Sequence, residues 1–290
     1  MTNPQFEISV IMSVYNSSAY LRTAVESILS QTFSDFEFLI TDDCSDDDSY
    51  SILKAYEAKD KRIRVFRNDK NLGLTVNLNK MTERSNGRYI ARMDADDISF
   101  PDRFLKQIKL FQKENDTDIV FSDSIYIDGR GHEICRAWTP GNLNKILKSL
   151  KHDCYIPHPS VMIKKSVLVE NNGYNEKCRT GQDKELWQRL LNNNAVFKYI
   201  NEPLIYYRIN PEGVTTLKKR GNDHDFRLAK VLINNRQKAK ALRFFLSNFR
   251  GFSFKQKFSL LIKLLLPVRL RYYIAVLRGK KSRFENNNFI

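Results

Sequence analysis

Residues 8–14 read ISVIMSV. The run is short, mostly apolar and rich in β-branched side chains, which suits a strand buried on both faces. Downstream, residues 20–29 carry Leu21, Ala24, Val25 and Ile28 at helical spacing. A second strand is expected at 36–41 (FEFLIT), then a helix at 45–59 with Ile52, Leu53 and Tyr56 on one side. A strand at 63–66, a helix at 76–84 and a strand at 88–93 (RYIARM) follow. Residues 101–114 form a helix whose first turn takes Pro101 and whose buried stripe is Phe104, Leu105, Ile108 and Phe111. Residues 119–127 are a further strand. This β-α-β-α order predicts an α/β fold with a doubly wound, mostly parallel, Rossmann-like sheet. After Gly129 the order is less regular, with helices at 143–150 and 185–191 and strands at 196–200 and 204–208. From Asp223 the pattern is helical and basic, with Pro267 as a break.

The chain has 290 residues, enough for one large domain or a domain with an appendage. Its 42% hydrophobic content supplies a core and excludes global disorder. No run approaches the roughly 18 apolar residues of a membrane span. The start, MTNPQFEISV, lacks the basic-then-apolar pattern of a secretory signal. Cys44, Cys135, Cys154 and Cys178 show no CxxC spacing, so reduced thiols in a cytosol are expected. The net charge of +15 is not evenly spread. Residues 218–290 hold 19 Lys and Arg against 3 Asp and Glu, a charge of +16, and the rest is nearly neutral at −1. A basic tail on a neutral body points to an anionic partner.

The carboxylates fall where the fold would use them. Asp42 and Asp43 end the second strand, and Asp94, Asp96 and Asp97 end the fourth. The first strand ends on the same edge, at Val14, Tyr15 and Asn16. In open α/β sheets this edge is the ligand crevice. Carboxylates gathered there repel unless a cation compensates, and Mg²⁺ or Mn²⁺ prefers oxygen ligands. An Asp-x-Asp at a strand end therefore predicts a metal–diphosphate site. Helix capping by Ser45, Asp46 or Ser99 is the plainer alternative for such turns.

At this point the motifs resemble family 2 inverting glycosyltransferases of the GT-A fold, over residues 7–216. They are SVIMSVYN at 9–16, ITDDCSDD at 40–47, NLG at 71–73, RMDADD at 92–97, HPS at 158–160, GQDKELWQRL at 181–190 and YYRIN at 206–210. The resemblance implies a GT-A domain over 1–216, with a nucleotide-sugar half at 1–128 and an acceptor half at 129–216. It implies that Val14, Tyr15, Asn16, Asp42, Asp43, Asn71, Gly73, Arg92, Asp94, Ala95 and Asp96 hold a sugar nucleotide. Asp94 and Asp96 would form the DxD, with Asp96 and Asp94 as metal ligands for Mn or Mg. Asp183 would be the catalytic base, with Asp97, His158, Gln182, Trp187 and Arg208 around the sugar, acceptor or diphosphate. For Trp187, core packing and sugar stacking are both open, and for Arg92 an ion pair with a carboxylate is favoured. Gln182 stands where the family usually has Glu, and Asn210 where it often has His.

The expected reaction is inverting transfer of a hexose or N-acetylhexosamine, with UDP as carrier, to a lipid-linked glycan in surface-polysaccharide (O-antigen or capsule) assembly. The basic region 217–290 mixes Lys and Arg with apolar residues such as Phe254, Phe258, Leu261, Ile262 and Leu265. Such a pattern suits a helix in a membrane interface or a helical appendage packed on the body. The expected location is the cytoplasmic, inner face of the cell membrane, as a peripheral protein. Nucleic acid is not an expected partner, because no zinc finger, bZIP or RRM signature is present. A sugar nucleotidyltransferase would want a Gly-rich basic loop after the first strand, where this chain has Asn16, Ser17 and Ser18. A non-catalytic membrane or nucleic-acid adapter would leave the strand-end carboxylates unexplained.

Overall fold

A computed structural model describes residues 5–137, 139, 141–178 and 180–209, with positions 239, 241, 242, 246, 257, 260, 261, 264 and 265 beyond them. The chain divides into two compact units, Met1–Ile209 and Asn210–Ile290. Asn210 and most of the basic region, including the expected break at Pro267, lie outside the described residues. The nine described positions beyond 209 are helical. Ala241 and Leu260 are buried, whereas Leu246 and Leu265 are exposed. No helix among the described residues is long and apolar enough to cross a membrane.

The first unit is built on a nine-stranded mixed sheet. Its elements are β1 (Phe6–Val14), α1 (Ser18–Leu29), β2 (Phe36–Asp42), α2 (Ser49–Glu57), β3 (Ile63–Arg67), α3 (Leu74–Arg84), β4 (Gly87–Asp94) and β5 (Ile98–Ser99). They continue with α4 (Arg103–Lys113), β6 (Ile119–Ile127), β7 (Glu133–Arg136), α5 (Leu143–Ser149), β8 (Met162–Lys164), α6 (Lys165–Glu170), α7 (Gln182–Asn192) and β9 (Phe197–Arg208). A single 3₁₀ turn spans His158–Ser160. The strand order is β3-β2-β1-β4-β8-β6-β9-β5, with β7 paired to β6.

The first four strands are parallel, as the alternation predicts. Side chains alternate faces along β1. Ile8, Val10, Met12 and Val14 join one apolar core with α1 and α4, whereas Ile11 joins a second core with α3 and α7. Fully burying each such side chain contributes roughly 1.5–3 kcal/mol.

Several boundaries differ from expectation. Helix α2 begins at Ser49 rather than 45, because the 43–48 turn is held by side chains from the β1 end. Helix α4 begins at Arg103, so Pro101 lies in the preceding turn. Helix α7 begins at Gln182, which puts Asp183 inside its first turn. The two late strands are one strand, β9, whose pairing with β6 slips between Ser122 and Ser124. Pro203 lies opposite Asp123 at that irregularity. Proline has no N–H for the ladder, and a bulge accommodates it. Strand β8 separates β4 from β6 and is antiparallel to both, which the alternation did not foresee.

Candidate active site

Sheet register brings the acidic strand ends together. Val14 of β1 pairs with Asp42, and Ser13 pairs with Asp94. Neighbouring strands are about 4.8 Å apart, so the backbones of Asp42 and Asp94 flank β1 about 10 Å apart.

The turn after β1 and the start of α2 interlock. Asn16 has φ 47°, in the left-handed region that Asn tolerates. Its N–H donates to Ser45 Oγ (3.0 Å), and its Oδ1 accepts from Asp46 N (2.9 Å). Asp47 accepts from the backbone of Ser18 and of Ser49, both at 2.9 Å, tying the starts of α1 and α2. Burial pushes its carboxyl up, but the hydrogen bonds from Ser49 and Ser18 outweigh this and hold it at about 2. Neither Ser45 nor Asp46 caps α2. Tyr15 is exposed on the rim.

Asp42 and Asp43 have different roles. Asp43 Oδ1 accepts from Leu72 N (2.9 Å) and Asn68 Nδ2 (2.8 Å), and its Oδ2 accepts from Gly73 N (2.8 Å). Asp43 therefore shapes the loop that carries Asn71 and Gly73 rather than offering free oxygens. Gly73, at φ 87°, starts α3 in a conformation open to glycine. Asp42 is fully buried, and its Oδ2 accepts from Ser45 N (3.3 Å) and lies 3.3 Å from Arg67 Nε. Its Oδ1 has no partner among the described residues.

At the end of β4, Arg92 forms a two-pronged ion pair with Asp94. Burial alone would lower the Arg92 guanidinium, but the Asp94 charge and hydrogen bonds keep it above its ordinary value. Asp94, Asp96 and Asp97 each place a carboxylate oxygen within 4.8 Å of the others, and Asp97 is buried. Burial first, and the Asp94 charge second, push Asp96 up to about 6. Asp97 is pushed well above the carboxylate range by burial and by Asp96 and Asp94. Asp97 Oδ1 accepts from Arg208 N (2.7 Å), while Oδ2 has no partner among the described residues. Ala95 is nearly buried between these carboxylates in sequence.

Arg208 packs against the acidic turn. Its Nε donates to Asp96 O (2.8 Å) and its Nη1 to Asp128 O (2.9 Å), with the guanidinium over the Tyr20 ring at 4.4 Å. It braces the Asp96–Asp97 turn through the Asp96 carbonyl. Arg103, which no motif marked, is fully buried beneath β4. It donates to the carbonyls of Arg92 (2.9 Å) and Val161 (3.2 Å). Burial and the nearby Arg92 charge lower it to about 9.

The second half of the site lies at the start of α7. Gly181 in the left-handed region turns the chain into the helix. Asp183 follows half-buried in the first turn beside Gln182, where the positive helix end favours a carboxylate. Asp183 makes no hydrogen bond or ion pair with any described residue. Its charge, after burial, helps push the Cys154 thiol up to about 12. It also acts on the buried Tyr174 hydroxyl, as do Arg92 and Asp94.

His158 and Trp187 are both buried. His158 is buried, with Nε2 2.9 Å from the Tyr174 hydroxyl. Trp187 is fully buried, edge-on to His158 at 5.9 Å and to Phe197 at 6.4 Å. No ring face is available to a sugar, so the stacking alternative for Trp187 is corrected to core. Tyr174 and Asn79, like Arg103, carried no motif signal. A lone Tyr in a loop and a lone Asn on a helix look ordinary until the chain is folded.

The description "Glycosyl transferase family 2" matches residues 9–171. This chain belongs to glycosyl transferase family 2. An uncharacterized glycosyltransferase of Methanocaldococcus jannaschii is 37% identical over 206 residues, which is 70% of each chain. The O-antigen biosynthesis glycosyltransferase WbnJ of Escherichia coli is 35% identical over 211 residues, 70% of this chain and 80% of that one. Among solved structures, Staphylococcus aureus TarS residues 1–349 with UDP-GlcNAc gives a TM-score of 0.59 at 18% identity. The alignment covers 97% of this chain and 89% of the TarS 1–349 chain. The mannosyltransferase PcManGT of Pyrobaculum calidifontis, with GDP-Man and Mn²⁺, also gives 0.59, at 12% identity, over 98% and 86% of the two chains. These likenesses show that the glycosyltransferase has the GT-A fold.

Proposed function

We propose that this glycosyltransferase moves a hexose or N-acetylhexosamine from a UDP-sugar to a hydroxyl of a lipid-linked glycan in surface-polysaccharide synthesis, with inversion. The observation that carries the reading is the cluster of carboxylate oxygens that Asp94, Asp96 and Asp97 form at the end of β4. The O-antigen role named for WbnJ and the UDP-GlcNAc bound to TarS support the choice of pathway and donor.

The acidic turn fits a divalent cation. Its ligand atoms are all oxygens, its carboxylates crowd one another, and Asp97 Oδ2 is buried without a donor among the described residues. Asp96 and Asp94 would hold Mn²⁺ or Mg²⁺, with Asp97 beside them. When bound, such a cation supplies Lewis-acid neutralisation of charge on a departing diphosphate. Arg92 fixes Asp94, and Arg208 fixes the turn that carries Asp96. Asp42 Oδ1, an acceptor lacking a donor, suits an N–H of the nucleotide base. The acceptor oxygen bonds to the anomeric carbon as the bond to the diphosphate breaks, and Asp183 takes the hydroxyl proton. A base in this role contributes about 10²–10⁴-fold. The basic region 218–290 draws the enzyme to the anionic inner face of the membrane, where lipid-linked acceptors reside.

Calorimetry with UDP, with and without Mn²⁺, tests the donor half of the reading. Metal-dependent binding that Asp96→Asn abolishes is expected. Asp183→Asn is expected to bind UDP normally and to lose about 10²–10⁴-fold in turnover. Full turnover in that variant removes Asp183 from the role of base.

A further inference from the structure

Three groups near the site have no part in the chemistry above: Asn79, Tyr174 and His158. Tyr174 lies between α6 and α7, and one side chain of α3 clamps its backbone. Tyr174 N donates to Asn79 Oδ1 (2.8 Å), and Asn79 Nδ2 donates to Tyr174 O (2.9 Å) and to Glu176 Oε1 (3.0 Å). Gly173, at φ 58°, allows the close approach, since a Cβ there would lie 2.6 Å from Asn79 Oδ1. At its other end, the Tyr174 hydroxyl is buried and shares a hydrogen bond with His158 Nε2 (2.9 Å). The two rings lie 5.5 Å apart, and His158 in turn packs edge-on against Trp187 at 5.9 Å. Trp187 stands one turn beyond Asp183, on the same stripe of α7.

The contacts form one continuous strut. It starts at α3, whose N-terminal loop Asp43 holds, and passes through Asn79, Tyr174, His158 and Trp187 to the helix that carries Asp183.

We propose that Tyr174 is a positioning residue: with its backbone held by Asn79 and its hydroxyl by His158, it sets where α7 presents Asp183 relative to the Asp94–Asp97 turn. The inference rests on the reading of Asp183 as base. Its physical basis is orientation. A carboxylate displaced by about 1 Å from its near-attack position can lose on the order of 10² in rate without loss of substrate binding. A buried hydroxyl–imidazole bond enforces such a position because neither group finds water if the bond breaks.

Tyr174→Phe keeps the ring and removes only the hydroxyl. The expected result is a kcat lower by about 10–100-fold, with donor KM and the affinity for UDP within about two-fold of wild type. His158→Gln, whose amide can still meet the hydroxyl, is expected to keep most turnover, whereas His158→Ala falls as far as Tyr174→Phe. The double variant Tyr174→Phe/His158→Ala should fall no further, because the two groups act as one unit. Wild-type kcat in folded Tyr174→Phe, or losses that add in the double variant, would overturn the proposal. Should Tyr174→Phe fail to fold, equal turnover in His158→Gln and His158→Ala overturns it instead. Failure of the base assignment shows separately, as full turnover in Asp183→Asn.

Discussion

Asp42 and Asp43 are adjacent in sequence but do different work. Asp43 accepts three hydrogen bonds from the 68–73 loop, and Asp42 keeps a bare buried oxygen. Bonds to a charged acceptor contribute about 1.5–3 kcal/mol each. Asp43→Ala should therefore destabilise the fold by about 3 kcal/mol or more in urea titrations and weaken UDP binding through a disordered loop. A normal loop and normal UDP affinity in that variant would contradict this role. At this scale the sequence showed which carboxylates reach the sheet edge, because strand ends are readable from periodicity. It did not show which oxygens the chain itself occupies, since that depends on where a distant loop lands. The same holds for Trp187, whose role was open between core and sugar until its burial was seen.

Among the elements, the pairing of β1 with β4 sets the spacing of the site. Gly87 opens β4 opposite Phe6, and a Cβ there would lie 2.4 Å from Ser9 N and 2.6 Å from Ile8 C. Both neighbours are backbone, so they cannot yield as a flexible side chain does. Gly87→Ala is expected to cost about 2–4 kcal/mol by thermal or chemical unfolding, whereas an exposed alanine substitution would change little. The parallel strands and their helices were legible because their apolar periods are strong. Short pieces such as β5 and β8 were not, since two or three residues carry no period. The bulge opposite Pro203 likewise depends on what β6 offers across the sheet.

For the whole molecule, charge and pH are the levers. A membrane role for the +16 segment predicts co-sedimentation with anionic vesicles. High salt or removal of the residues after 217 should release the protein, and equal sedimentation with neutral lipid would count against the role. Burial and the Arg92 charge hold His158 well below the usual imidazole range. The folded chain thus binds a proton at this site less readily than the unfolded chain, whose imidazole titrates near about 6.5. The stability this gives is complete above that value and declines as pH falls below it. Asp96 and Asp97 shift in the opposite sense, so the difference between wild type and His158→Gln between about pH 7 and 5 isolates the effect. A difference independent of pH would show that His158 does not titrate as described. By itself the sequence determined the strand–helix alternation, the acidic strand ends and the segregation of charge, because each is a local or compositional property of the chain. Only the tertiary structure decided that β8 runs against its neighbours, that Arg208 and Arg103 brace backbone, and that Asn79, Tyr174 and His158 connect α3 to α7. Many of those contacts join distant segments, such as Asn79 with Tyr174, 95 residues on, and Arg208 with Asp96, 112 residues back, and only packing and buried hydrogen bonds, not local propensity, choose such partners.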